Sequence, residues 1–256
     1  MWESGTTPTH WTHIMNCEAS DKDAFFRLCE LVDYDDPGPM WSRICAWSAR
    51  LRDVSSALPP RVIEIGCGAS FKIIFALHRR RYSGVLEAVD LDSSSLDAQV
   101  QVHRWLKPGF SLSVSAEDVV HRRFESGSCL VVGNHFVDDF VAHQFPVTSL
   151  AYAEAYADPE KHRRYWSEVA SLGEEHVARS LTDVLAAICE APLLLNNYVS
   201  RFEKVHRLEE KVEFIDAVMR ETARLLTHAG HPSEVSVSES DVWLHKRRGP
   251  ARAGRR

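Results

Sequence analysis

The sequence predicts an α/β fold: a doubly wound, mostly parallel sheet of seven strands with an antiparallel last strand, preceded by a helical N-terminal cap. Three observations carry that expectation. From residue 61 onward, short apolar runs rich in β-branched residues alternate with stretches of helical period, as strands and crossover helices do in parallel sheets. The first run leads into a two-glycine turn, Glu64-Ile65-Gly66-Cys67-Gly68-Ala69-Ser70, that opens directly onto a helix. The second run ends in an acid, Asp90, 22 residues beyond Gly68.

The elements follow in order. Residues 1–58 read as a helical cap: Ser20 can cap DKDAFFRLCELV, Pro37-Gly38-Pro39 breaks the chain, and Trp41, Ile44, Trp47, Leu51 and Val54 then recur on one helix face. After Pro59-Pro60, RVIEI is a buried strand and SFKIIFALHRR a helix. GVLEAVDLD is the second strand, SSSLDAQVQVHRWL a helix, FSLSVSAED the third strand and SCLVVGNHF the fourth. Residues 141–165 interrupt the rhythm, and a long helix bent at Gly173 is expected from His162 to Ala191. PLLLNNYV is the fifth strand. A helix from Lys204 to Ala229 ends at Gly230, and SEVSVSES with DVWLHKRR closes the sheet as an antiparallel pair.

Composition narrows the function. With 256 residues, 45% hydrophobic and 26% charged, the chain can bury a sizeable core without disulfide or metal staples. The net charge of −6 is uneven. Lys246 to Arg256 carries six basic residues, so the remainder has 24 basic against 36 acidic residues, a net of −12. An acidic body argues against nucleic-acid binding, and residues 249–256 read as a disordered basic tail. No secretory signal and no apolar run of bilayer length is visible, so a cytoplasmic protein with no membrane partner is expected. The six cysteines are scattered without a C-x-x-C pair, which fits reduced thiols and no metal site.

The glycine turn is the most specific signal. Small residues there let a ligand approach the backbone, and the following helix presents free N–H groups. An acid ending the next strand can accept both hydroxyls of a ribose. Nicotinamide-binding turns want a third glycine where this chain has Phe71, a residue that would crowd a pyrophosphate. The E-x-G-x-G-x-S pattern resembles motif I of the class I S-adenosylmethionine-dependent methyltransferases, of the small-molecule or peptide natural-product type. Strand and helix order match from residue 61 to about residue 248, a Rossmann-like domain.

That resemblance implies S-adenosylmethionine as cofactor. It puts Glu64, Gly66, Cys67 and Gly68 at the methionine part, Asp90 and Leu91 at the ribose and its surroundings, and Asn134 at the far end of the cofactor. The family aspartate after strand three is replaced by Ser115, so Ser115 with Ala116 takes the adenine contact, with Glu117 as the alternative. Asp92 reads as a helix cap or a surface charge.

Strand four runs straight into Asn134-His135 and then Asp138-Asp139, a run that packing alone does not call for. In the resembled family this end adjoins the transferable methyl, so Asn134, His135, Asp138 and Asp139 are the catalytic candidates on the acceptor side. The structural alternatives are a hydrogen-bonded core histidine and helix-capping aspartates. Carboxylates beside a histidine suit a basic nitrogen, which must lose a proton before it attacks, slightly better than an anionic oxygen. Tyr152, Tyr156, Tyr165 and Trp166 in the insertion, with Asn197 after strand five, are candidates for the substrate pocket. The expected activity is methyl transfer to a small molecule or short peptide, as in natural-product biosynthesis, with the oligomeric state open and a homodimer as one option. An aminopropyl-transferring enzyme and a catalytically inactive cofactor-binding regulator remain alternatives on the same fold.

Overall fold

The computed structural model describes residues 21–31, 37–55, 57–124, 129–147, 152–156, 158–188, 190–238 and 241–247. Ser20 and the basic tail lie outside them. Seven strands form one sheet in the order β3-β2-β1-β4-β5-β7-β6. This is the Rossmann-like methyltransferase architecture, with helices at the N-terminus and an antiparallel β7. The chain divides into two compact units, residues 1–118 and 119–256.

The first unit holds α1 (Asp21–Leu31), α2 (Pro37–Val54), β1 (Arg61–Ile65), α3 (Lys72–Arg79), β2 (Val85–Asp90), α4 (Ser93–Leu106) and β3 (Ser111–Ala116). Both strand pairs are parallel, with Glu64 opposite Ala88 and Asp90 opposite Ala116. Pro37 begins α2 rather than breaking the chain ahead of it, because a proline in the first turn forfeits an N–H that has no intrahelical partner anyway. The predicted face of α2 is buried through Ile44, Trp47 and Leu51. The two N-terminal helices dock on α3. Phe25 packs its ring 5.5 Å from Phe75 and 6.0 Å from Phe71, and Ser48 Oγ donates to the carbonyl of Ala76 at 3.2 Å.

The second unit begins with a single 3-10 turn and continues through β4 (Cys129–Asn134), α5 (Phe136–Gln144), α6 (Tyr152–Ala155), α7 (Pro159–Ala170) and α8 (Glu174–Ile188). It closes with β5 (Leu193–Tyr198), α9 (Arg201–His206), α10 (Glu209–His228), β6 (Ser233–Ser238) and β7 (Asp241–Lys246). β4 and β5 are parallel, whereas β7 runs antiparallel to both β5 and β6. Two expected helices are each divided. Gly173, at φ 85°, ends α7 and starts α8 outright instead of bending one helix. The stretch after Lys204 breaks at Arg207, which is left-handed at φ 54°, so α9 and α10 replace a single helix. The N-terminus of α9 is fixed separately, by Ser200 and Glu203. They form a reciprocal capping box that makes α9 a self-contained turn and a half.

Candidate functional site

In the first unit the glycine turn is held by bonds within the chain. Gly66 and Gly68 have φ values of 57° and 52°, a region that L side chains enter at a cost. The Gly68 N–H donates to Asp90 Oδ2 at 2.8 Å, and the Asp92 N–H donates to Asp90 Oδ1 at 2.9 Å. Asp90 therefore ties the end of β2 to the turn after β1. Gln99, reaching from α4, donates to the carbonyls of Gly68 and Ser70. A side chain added at Gly68 would meet nothing nearer than Ser70 N at 4.0 Å, so the space over the turn is open.

Under the turn lies Glu64, wholly buried, with neither carboxylate oxygen hydrogen-bonded. Burial pushes its carboxyl well above the usual carboxylate range; the Lys72 ammonium pulls it down and Asp90 pushes it further up. Lys72 donates its Nζ to Ser70 Oγ at 2.9 Å. The side chain of Cys67 turns inward onto Ala88 and Leu96, which leaves its backbone as the part that can meet a ligand. Leu91 exposes 57% of its surface directly after Asp90. Ser115 donates to Glu117 Oε1 at 2.7 Å, and the Glu117 N–H bonds the Asp90 carbonyl at 3.1 Å, so these two candidates share one corner with Asp90. Asp92 caps α4, accepting from the backbone of Ser94 and Ser95. Phe71 is buried in the aromatic cluster with Phe25 and Phe75.

In the second unit β4 is buried along its whole length and delivers Asn134, 5% exposed, to its carboxyl end. His135 follows in the left-handed region at φ 62°, which lets α5 start immediately after the strand. Its backbone N–H donates to the Asn196 carbonyl at 2.8 Å, its ring stands edge-on to Tyr198 with centroids 3.8 Å apart, and Nδ1 is 3.1 Å from Asp138 Oδ2. The paired aspartates diverge: Asp138 is buried, whereas Asp139 is exposed to solvent.

Asp138 belongs to an ionic chain that periodicity did not reveal. The ammonium of Lys211, on α10, lies between Asp138 Oδ2 and Glu203 Oε1, the latter at 2.6 Å. His162 Nε2 is 3.6 Å from the same Glu203 oxygen. All four side chains are at most 1% exposed. Burial would lower the Lys211 ammonium, but Asp138, Tyr156 and Glu203 together hold it well above the ordinary lysine range. Burial would likewise raise Glu203, but the His162 ring, Lys211 and the Ser200 N–H hold it far below the carboxylate range.

Aromatic side chains enclose this chain. Lys211 Nζ is 5.6 Å from the Trp166 ring and 6.0 Å from that of Tyr156, and Tyr152 donates to the Tyr156 hydroxyl at 3.4 Å. Burial pushes the Tyr165 phenol up to about 12, with Asp138 adding to it. Asp138 Oδ1, Tyr165 Oη, Trp166 Nε1 and Asn197 Oδ1 are buried polar atoms with no hydrogen-bond partner. Buried polar atoms of this kind are uncommon in folded proteins and call for an explanation. The structure thus gathers Asp138, His135, Tyr152, Tyr156 and Trp166, and adds Lys211, Glu203 and His162.

No family model matches the sequence, and no curated protein sequence does. Solved structures do match. A protein from Methanococcus maripaludis, described as an S-adenosyl-L-methionine-dependent methyltransferase, is similar at 12% identity and TM-score 0.50, over 93% of this chain and 98% of that one. An O-methyltransferase family protein from Burkholderia thailandensis is similar at 15% identity and TM-score 0.50, over 95% of this chain and 69% of that one. The 16S rRNA methylase RmtB matches at 12% identity and TM-score 0.47, over 94% of this chain and 76% of its own. At these identities the likeness is one of fold.

The residues around the turn fit an amino-acid-bearing nucleoside. Glu64 offers two unfilled acceptors, Asp90 keeps acceptor capacity beyond its bonds from the Gly68 and Asp92 N–H groups and the Cys67 thiol, and the space above Gly68 is open. Among the described residues there is no group of three histidine, cysteine or acidic side chains placed to hold a metal, and no helix is long and apolar enough to cross a membrane.

Proposed function

We propose that the protein is an S-adenosylmethionine-dependent methyltransferase of the cytoplasm, acting on a small molecule or short peptide at a nitrogen. The observation that carries this reading is Glu64: a buried acid with two unfilled oxygens beneath an open glycine turn that Asp90 already holds in shape. When bound, the cofactor supplies a methyl group activated by its sulfonium. Glu64 and the backbone of Gly66 to Gly68 hold its amino-acid end. Asp90 takes the ribose hydroxyls, Leu91 offers an apolar surface beside them, and the Ser115–Ala116 corner meets the base.

His135 and Asp138 supply the acceptor chemistry in this reading. His135, oriented by Asp138, draws the proton from the acceptor nitrogen. The cation in that cluster, Lys211, is already shared by two carboxylates, which leaves it poorly placed to hold an anionic oxygen. The aromatic shell of Tyr152, Tyr156 and Trp166 already faces the Lys211 ammonium, which favours a neutral acceptor beside it. The acidic body opposes a nucleic-acid substrate.

Thermal shift and calorimetry test the reading. S-adenosylhomocysteine should raise the melting temperature, because a ligand bound to the native state stabilises it, and NAD should not. Incubation with S-adenosylmethionine and candidate amines should release S-adenosylhomocysteine. A shift with NAD alone would overturn the cofactor, and tight binding with no turnover on any acceptor would favour a regulatory protein.

A further inference from the structure

A charged carboxylate with no donor around it is costly to bury, and the usual outcome is that the group keeps its proton. Among the described residues, Glu64 is the acid with both oxygens buried and unpartnered. The ionisable groups that bear on it are Lys72 on α3, Asp90 at the end of β2 and Cys67 in the turn. Lys72 is the cation among them, and its ammonium is bonded to Ser70 Oγ rather than to Glu64. Its pull is weaker than the opposing effect of burial. Among the described residues, then, none gives Glu64 a positive partner at hydrogen-bond distance.

We propose that Glu64 is protonated in the free protein and releases its proton when a ligand carrying an α-ammonium group binds over the glycine turn. The inference rests on the cofactor reading above and extends it. The carboxyl O–H bond breaks, the proton passes to the solvent buffer, and the carboxylate accepts N–H bonds from the ammonium. One positive charge leaves the buried site and another replaces it. Glu64 thereby selects for the amino-acid end of the ligand: a nucleoside without that end has no cation to exchange.

The exchange also sets a pH dependence. The carboxyl of the free protein titrates above that of the complex, so affinity is constant above the free-state value. Below it, affinity falls by about tenfold per pH unit until the bound-state value is reached.

The test is isothermal titration of the full chain with S-adenosylhomocysteine, in pairs of buffers that differ in ionisation enthalpy, at a series of pH values from acidic to alkaline. Wild type should release up to one proton per ligand bound, with affinity rising with pH wherever release is seen and level where it is not. Glu64→Gln should bind without release, and so should wild type with 5′-methylthioadenosine, which lacks the amino-acid end. Binding of S-adenosylhomocysteine by wild type with no buffer dependence at any pH overturns the inference and leaves the cofactor reading standing. Release that persists in Glu64→Gln also overturns it. Failure of wild type to bind S-adenosylhomocysteine at all overturns the cofactor reading instead. Should Glu64→Gln not fold, the buffer pairs and the two ligands on wild type still decide.

Discussion

Lys211 and Asp138 form an ion pair inside the second unit with no more than 1% of either side chain exposed. Glu203 completes a triad around the ammonium. Such a group is costly to assemble and more costly to break, because removing one member strands the others without water. Lys211→Met leaves two buried carboxylates facing each other and should lose about 3–5 kcal/mol in urea denaturation. Adding Asp138→Asn and Glu203→Gln to that variant should recover part of the loss, since no unpaired charge then remains.

The same triad gives stability two limits in pH. Glu203 is held far below its ordinary range, so its contribution is complete above the unfolded carboxyl value of about 4.3 and is lost as the pH falls through the lower folded value. Lys211 is held above its range, so its contribution is complete below the unfolded value of about 10.4 and is lost as the pH rises through the folded value. Between those limits the triad itself adds no slope to stability, so the urea midpoints of wild type and Glu203→Gln should run parallel there. In Glu203→Gln the acid-side fall should be shallower.

Asp90 has two duties, and the variants separate them. It accepts from Gly68 and Asp92 within the protein, and it faces the ribose in the proposed complex. Asp90→Ala should weaken S-adenosylhomocysteine binding roughly ten- to a hundred-fold by calorimetry, the weight of lost hydrogen bonds to a charged group. Asp90→Asn keeps one acceptor and should fall between the two.

His135 occupies a left-handed backbone position at φ 62°. Glycine adopts that conformation freely, whereas alanine is strained there by about 1–2 kcal/mol. His135→Gly should therefore unfold at higher urea than His135→Ala. Both should lower methyl transfer by about 10²–10⁴-fold, the span for acid–base groups, with S-adenosylhomocysteine affinity unchanged. Normal turnover in the glycine variant would leave His135 a structural residue.

The sequence made one half of this picture more legible than the other, for a physical reason. The glycine turn and Asp90 are local signals: their spacing follows from strand and helix length, so residues 64 to 90 can be read without knowing the fold. The mostly parallel sheet and its closing antiparallel pair follow similarly from the alternation of strand and helix. The ionic triad is not local. Asp138, Glu203 and Lys211 come from α5, α9 and α10, and only packing unites them. Two hints existed. Ser200-x-x-Glu203 is a capping box in plain sequence, and Lys211 falls among Leu208, Val212 and Ile215 on the apolar side of α10, where a lysine needs a partner. Helix periodicity counts hydrophobic positions and passes over a charge lodged between them. Lengths also misled, since the left-handed Arg207 divides a run that looks continuous.

The bond from the Gly68 N–H to Asp90 has a kinetic consequence. The turn reaches its working shape as the chain folds, so a ligand arriving there has no loop to organise. Association can then proceed as one collision-limited phase, without a slow rearrangement behind it, and differences in affinity among related nucleosides fall on how quickly each one leaves.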